Sequence, residues 1–190
     1  MKKTLMVVGI ALLGQTTMAN AATSSIKMPK DDLVHVLGWM EDACVGSKAP
    51  YKAINEKYRA LTDSFITMDA KSEYRPVVAP RSKWLPEYRN VIKDIKLEHK
   101  NNPEDGREYT YFNLTFNKNV KYRGLPVEKY THAFVEESEG SKKILKFPAT
   151  VNVKSIVPKF KSRMVDGLDG PERMGAEYKA KDKTIACYSY

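Results

Sequence analysis

The sequence predicts an α+β fold in which N-terminal helices pack on one face of an antiparallel β-sheet carrying a single disulfide. Three observations predict it. Apolar residues recur at helical spacing before about residue 68, and at period two from about residue 91 onward. Helices gathered first and strands afterwards mark segregated layers rather than alternating βα units. The chain holds only two cysteines, Cys44 and Cys187, so one intramolecular bridge exhausts them.

Residues 1–21 read as a cleavable bacterial export signal. Lys2 and Lys3 form a positive start, Leu5 to Leu13 an apolar run too short for a bilayer span, and Ala19-Asn20-Ala21 a small-x-small cleavage site. No cysteine stands near that site to be acylated. The expectation is a periplasmic or secreted protein with no transmembrane segment after cleavage. Residues 22–190 are then one α+β domain, of a size that buries most of its apolar side chains.

Within that domain the helical part spans about 30–68. Leu33, Val36, Leu37, Met40 and Cys44 form one stripe behind Asp31 and Asp32, and Ile54, Tyr58, Leu61 and Phe65 form a second. Gly46, Ser47 and Lys48 separate them, and Pro50 suits the first turn of the second helix. A connector at about 75–89 follows, where Pro76, Pro80 and Pro86 bar a helix or a central strand. The strand-rich part, about 91–190, alternates in DIKLEH, REYTYFNLTF, VEKYTHAFVE, KKILKF, ATVNVKSI and TIACYSY, with Asn-Pro-Glu-Asp-Gly, Glu-Gly-Ser and Asp-Gly-Pro as turns. The aromatic C-terminus resembles the end of an outer-membrane barrel. The helical stripes and the lysines inside the later strands contradict that architecture.

In an oxidising compartment Cys44 and Cys187 are expected to pair. The bridge staples the last strand to the helical third. It closes a loop of 143 residues, for which chain entropy alone gives about 5 kcal/mol. Neither cysteine sits in a C-x-x-C motif, so a redox pair is disfavoured.

No motif specifies an activity. His35, His99 and His132 are scattered, and His132 and Glu136 on one strand stand too far apart to chelate one ion, so no metal and no cofactor is expected. There is no G-x-S-x-G, and Ser24-Ser25-Ile26-Lys27 lacks the accompanying motifs of acyl-serine enzymes. Asp166-Gly167-Leu168-Asp169-Gly170 lacks the ligand alternation of a calcium loop and reads as a turn. Glu136-Glu137 and Asp31-Asp32 are adjacent pairs that splay apart in regular structure.

Charge carries more information. The net charge is +9, and loss of Lys2 and Lys3 takes 32 basic side chains to 30 against 23 acidic ones. Such an excess favours an anionic counterpart. Lysines and arginines alternate at Lys121 and Arg123, at Lys159, Lys161 and Arg163, and at Lys179, Lys181 and Lys183. In extended segments each run would present its charges on one face, as an anion-binding candidate or as protection of sheet edges. No RNP-like sequence accompanies them, so nucleic acid is not the expected partner. Trp84, between Arg81 and Lys83 on the proline-stiffened connector, joins a rigid aromatic to positive charge, the composition of a protein contact. The alternative is that it folds back on the core. The reading is a non-enzymatic secreted or periplasmic binding protein, engaging another protein or an anionic envelope glycan or lipid. Its alternative is a periplasmic hydrolase whose site is assembled from residues distant in sequence.

Overall fold

A computed structural model describes residues 31–69, 75–101, 106–134, 141–167 and 170–189. The expected leader, Ser24 to Lys27, Glu136, Glu137 and Tyr190 lie outside the described residues. In chain order the elements are α1 (Val34–Leu37), α2 (Tyr51–Phe65), β1 (Ile66–Asp69), β2 (Arg75–Val78), β3 (Ile92–Asn101), β4 (Glu108–Phe116), β5 (Lys121–Tyr122), β6 (Leu125–Pro126), β7 (Lys129–Phe134), β8 (Ser141–Lys146), β9 (Arg163–Gly167), β10 (Gly170–Lys179) and β11 (Thr184–Ser189). Seven strands form one sheet in the order β3-β4-β7-β8-β11-β10-β9, every neighbouring pair antiparallel.

The period-two pattern produces this sheet by alternating its burial. Phe112, Leu114 and Phe116 of β4, Tyr130 of β7, Leu145 of β8 and Ile185 of β11 are buried and share one face by register. On α2 the stripe delivers Tyr58, Leu61 and Phe65 to the core. The Tyr130 hydroxyl donates to that of Tyr58 at 3.0 Å, and the rings of Phe65 and Phe112 lie 6.3 Å apart. The helix ends at Ile66, a β-branched residue with extended backbone, φ −117° and ψ 138°, which opens β1.

The first stripe folds differently from a single helix. All five of its residues are buried, but α1 lasts one turn and passes into a 3₁₀ segment, Gly38–Glu41. The chain then turns left-handed at Ala43 and Cys44, φ 52° and 59°, which ends any helix. This turn aims Cys44 at β11: Cys44 and Cys187 are bonded, with Cα atoms 5.9 Å apart.

Two further differences concern the strand-rich half. ATVNVKSI is not a strand; Val153–Ser155 is a 3₁₀ turn, and Val153 and Ile156 reach the core from it. Pro148 and Pro158 bracket the segment and leave it little room for ladder pairing. The β9–β10 hairpin, in contrast, has no clean alternation to announce it. Gly175 interrupts β10 where a Cβ would meet the Tyr188 hydroxyl at 2.7 Å and Ser162 at 2.8 Å, so close packing demands the glycine. In the connector, β2 carries Pro76 without loss because β1 and β2 form a separate two-stranded ribbon.

Candidate anion-binding site

The three alternating basic runs are not extended stripes. Lys121 lies on β5, but Arg123 and Gly124 form the two-residue turn to β6, both with positive φ (53° and 77°). Asp32 holds that turn by accepting the Arg123 and Gly124 amides at 3.2 and 3.1 Å, and also the Val34 amide at 3.1 Å. The Arg123 guanidinium grips Glu41, which is 1% exposed, through Nε at 2.8 Å and an Nη at 2.6 Å. Tyr122 donates to the same carboxylate at 2.8 Å, and burial with the adjacent Glu41 pushes its hydroxyl pKa far up.

Lys159 ends a 3₁₀ turn, and Lys161 bonds the Pro158 carbonyl at 3.0 Å. Arg163 begins β9 and pairs with Asp42 at 3.2 Å and Ser47 at 2.8 Å. Arg123 and Arg163 therefore meet at Glu41-Asp42, which neutralises both. Lys179 is on β10, whereas Lys181 and Lys183 follow in the turn to β11, Lys183 with φ 54°. Trp84 faces inward: it is 6% exposed, bonds the Ala79 carbonyl at 2.9 Å and meets Phe65 edge-on. Arg81 lies over its ring at 5.4 Å, and Arg81 and Lys83 are exposed without it.

Register assembles a different basic row. Asp94, Thr115, Lys129, Lys146, Thr184 and Lys179 are successive cross-strand partners over β3, β4, β7, β8, β11 and β10, on the sheet face opposite Phe112 and Tyr130. From Lys129 to Lys179 the row crosses three strand spacings, about 14 Å. Thr184 is buried, Thr115 and Lys129 are half-buried, and Lys146 and Lys179 are exposed.

The electrostatics of this row are unfavourable within the protein alone. Lys129 and Lys146 stand directly opposite each other, and like charges so placed destabilise a sheet. Lys146 reaches Glu128 at 3.7 Å, whereas Lys129 has no ion pair among the described residues. Burial lowers the Lys129 pKa, the nearby Glu98 opposing and Lys146 and Lys100 adding to that effect. In the neighbouring row, Lys96, Asn113 and Thr131 are partners. Thr131 donates to Asn113 at 2.9 Å and Asn113 to Glu98 at 3.4 Å. Lys100 hydrogen-bonds Glu98 at 2.9 Å and draws its carboxyl pKa down. The arrangement offers ammonium and hydroxyl donors in line, with Asp94 and Glu98 toward the β3 end and Glu128 beside Lys146.

Sequence reasoning missed Lys129, Lys146, Thr115 and Thr184. The available signal was a lysine out of phase with the apolar positions, Lys129 beside Tyr130 in VEKYTHAF and Lys146 beside Leu145 in KKILKF, and these become a row only once strand order is known. A cleft of about 530 Å³ beside Asp31, Glu87 and Asn119 gathers no comparable charge. Among the described residues no group of three or more His, Cys, Asp or Glu could hold a metal ion, and no helix is long and apolar enough to cross a membrane. No protein-family model, curated protein or solved structure matches the chain.

Proposed function

We propose that the chain is an exported, non-enzymatic binding protein that holds an extended anionic component of the cell envelope, an acidic glycan, across the row Lys129, Lys146 and Lys179. The observation that carries this reading is the opposed Lys129–Lys146 pair, a repulsive placement that a bridging anion converts into an attractive one. Its linear arrangement suits a chain of charges. The finer architecture belongs to the same reading: the helices cover the face bearing Phe112 and Tyr130, for which the Tyr58–Tyr130 and Phe65–Phe112 contacts speak, and leave the lysine face open. The export pattern of residues 1–21 and the Cys44–Cys187 bridge support the compartment.

The test is retention on heparin-like acidic polysaccharide beads with a salt gradient. Lys129→Gln with Lys146→Gln should elute earlier and with a flatter salt dependence than wild type. Lys159→Gln with Lys161→Gln, which removes as many charges elsewhere, should elute nearly where wild type does. Equal loss in the two variants would reduce the effect to net charge and overturn the assignment.

A further inference from the structure

On the opposite face of the sheet from the basic row, a second cluster has donors and, among the described residues, no acid to receive them. Trp39 comes from the 3₁₀ turn after α1, Tyr58 from α2, His132 from β7 and Lys143 from β8. His132 and Lys143 are cross-strand partners. The Lys143 ammonium lies 5.9 Å from the centre of the Trp39 ring, and the Trp39 and Tyr58 rings are 5.2 Å apart. Trp39 is 2% exposed, yet its Nε1 has no hydrogen-bond partner among the described residues, a costly arrangement for a buried donor. Lys143 bonds the Ser141 hydroxyl and has no ion pair among the described residues.

The tautomer of His132 follows from its neighbours. Tyr130 donates to the Tyr58 oxygen, so the proton of Tyr58 is left for His132 Nδ1, 3.0 Å away. Burial, with Lys143 adding repulsion, pushes the imidazole pKa down to about 4, so the ring is neutral at ordinary pH. Its remaining proton is therefore on Nε2, which donates to nothing described. An indole N–H, an imidazole N–H and an ammonium group thus stand in one cluster, all donors and together carrying one positive charge.

We infer that Trp39, His132 and Lys143 form a second binding site, for a carboxylate. A metal cation would meet an ammonium and two N–H donors there, and the His132 Nδ1 lone pair is already taken by the Tyr58 hydroxyl. A phosphate dianion would leave one negative charge uncompensated in a half-buried place, whereas a carboxylate matches the single charge and accepts from several donors. The site does not depend on the function assigned to the basic row, which lies across the sheet from it.

Two-dimensional ¹H–¹⁵N spectra of the whole protein test it, because the chain has only two tryptophans and Trp84 is the internal control, its N–H already bound to the Ala79 carbonyl. Acetate should move the Trp39 indole resonance saturably and leave that of Trp84 in place. A glutamyl peptide capped at both ends should do the same if the ligand is a protein side chain, and acetate alone if it is a small acid. Inorganic phosphate at pH 8 should bind at least about tenfold more weakly, and Lys143→Met should cost a similar factor, about 1.4 kcal/mol. In the wild type, acetate should also raise the His132 pKa from about 4, a readout that survives if Lys143→Met fails to fold. An unmoved Trp39 indole at about 100 mM acetate, an affinity too weak to matter, would overturn the site. So would equal shifts of both indoles, or acetate binding unaltered in a folded Lys143→Met variant.

Discussion

Arg123→Met should destabilise the protein without touching its affinity for anions. Glu41 is 1% exposed and receives two charge-assisted bonds from Arg123, at 2.8 and 2.6 Å, and one from Tyr122 at 2.8 Å. The substitution leaves that carboxylate in the core with a single neutral donor. Breaking a buried pair from one side costs about 3–5 kcal/mol. The Arg123 side chain is itself 35% exposed, so water reaches part of the vacated place and the lower figure, about 3 kcal/mol, applies. For a domain of this size each kcal/mol moves the thermal midpoint by about 2–4 °C, giving about 6–12 °C. Urea denaturation should show a lower midpoint with an unchanged slope. Adding Glu41→Gln should recover part of the loss, since the uncompensated charge disappears, and the double-mutant cycle should give a coupling of about 2 kcal/mol. A loss under about 1 kcal/mol, or reduced bead retention at unchanged stability, would refute this reasoning and return Arg123 to the surface as a ligand-binding group.

Three further outcomes are expected. Cys187→Ser, Cys44→Ser and the double variant should lose the same stability, up to about 5 kcal/mol by chain entropy for a loop of 143 residues, with proteolysis trimming β11 first; additive losses in denaturant melts would contradict a single shared bond. Stability should fall as pH drops from about 6.5 to about 4, because the unfolded chain binds a proton on His132 that the fold refuses until its pKa of about 4. The contribution is present above the unfolded pKa and amounts to about 3 kcal/mol at most, so His132→Gln should flatten that part of the denaturation-versus-pH curve. Lys146→Thr should stabilise the protein by about a few tenths of a kcal/mol and raise the thermal midpoint slightly, as the repulsion with Lys129 is lost; a lower midpoint would mean that the aliphatic stem of Lys146 matters more than its charge.

The elements that sequence reasoning located are those whose burial is written into a period. α2 follows from Ile54, Tyr58, Leu61 and Phe65, and β4 from the alternation of Thr110, Phe112, Leu114 and Phe116, because each set faces one way in its element. The first stripe misled on length alone: its five residues are all buried, but the left-handed turn at Ala43 and Cys44 is a property of backbone dihedrals that apolar spacing does not encode. ATVNVKSI misled because Val151, Val153 and Ile156 can reach a core from a 3₁₀ turn as readily as from a strand. β9 and β10 went unseen since edge hairpins bury little and so need no clean alternation.

The candidate sites lay deeper still, for a reason that separates neighbours in sequence from neighbours in register. Lys159, Lys161 and Arg163 look like a stripe because period two is assumed along one chain; the fold puts a 3₁₀ turn there and gives Arg163 to Asp42. The lysines that do align come from three strands, at positions 129, 146 and 179, and nothing in any one strand singles them out. A shift of one residue in the β7–β8 pairing would turn Lys129 toward the core and Tyr130 away from it. The burial of Tyr130 and Leu145 therefore fixes the register that sets Lys129 against Lys146. The same register, read on the opposite face, sets His132 against Lys143. Apolar residues thus position both sets of donors, and an anion on either face would be held by side chains whose placement the core has already decided.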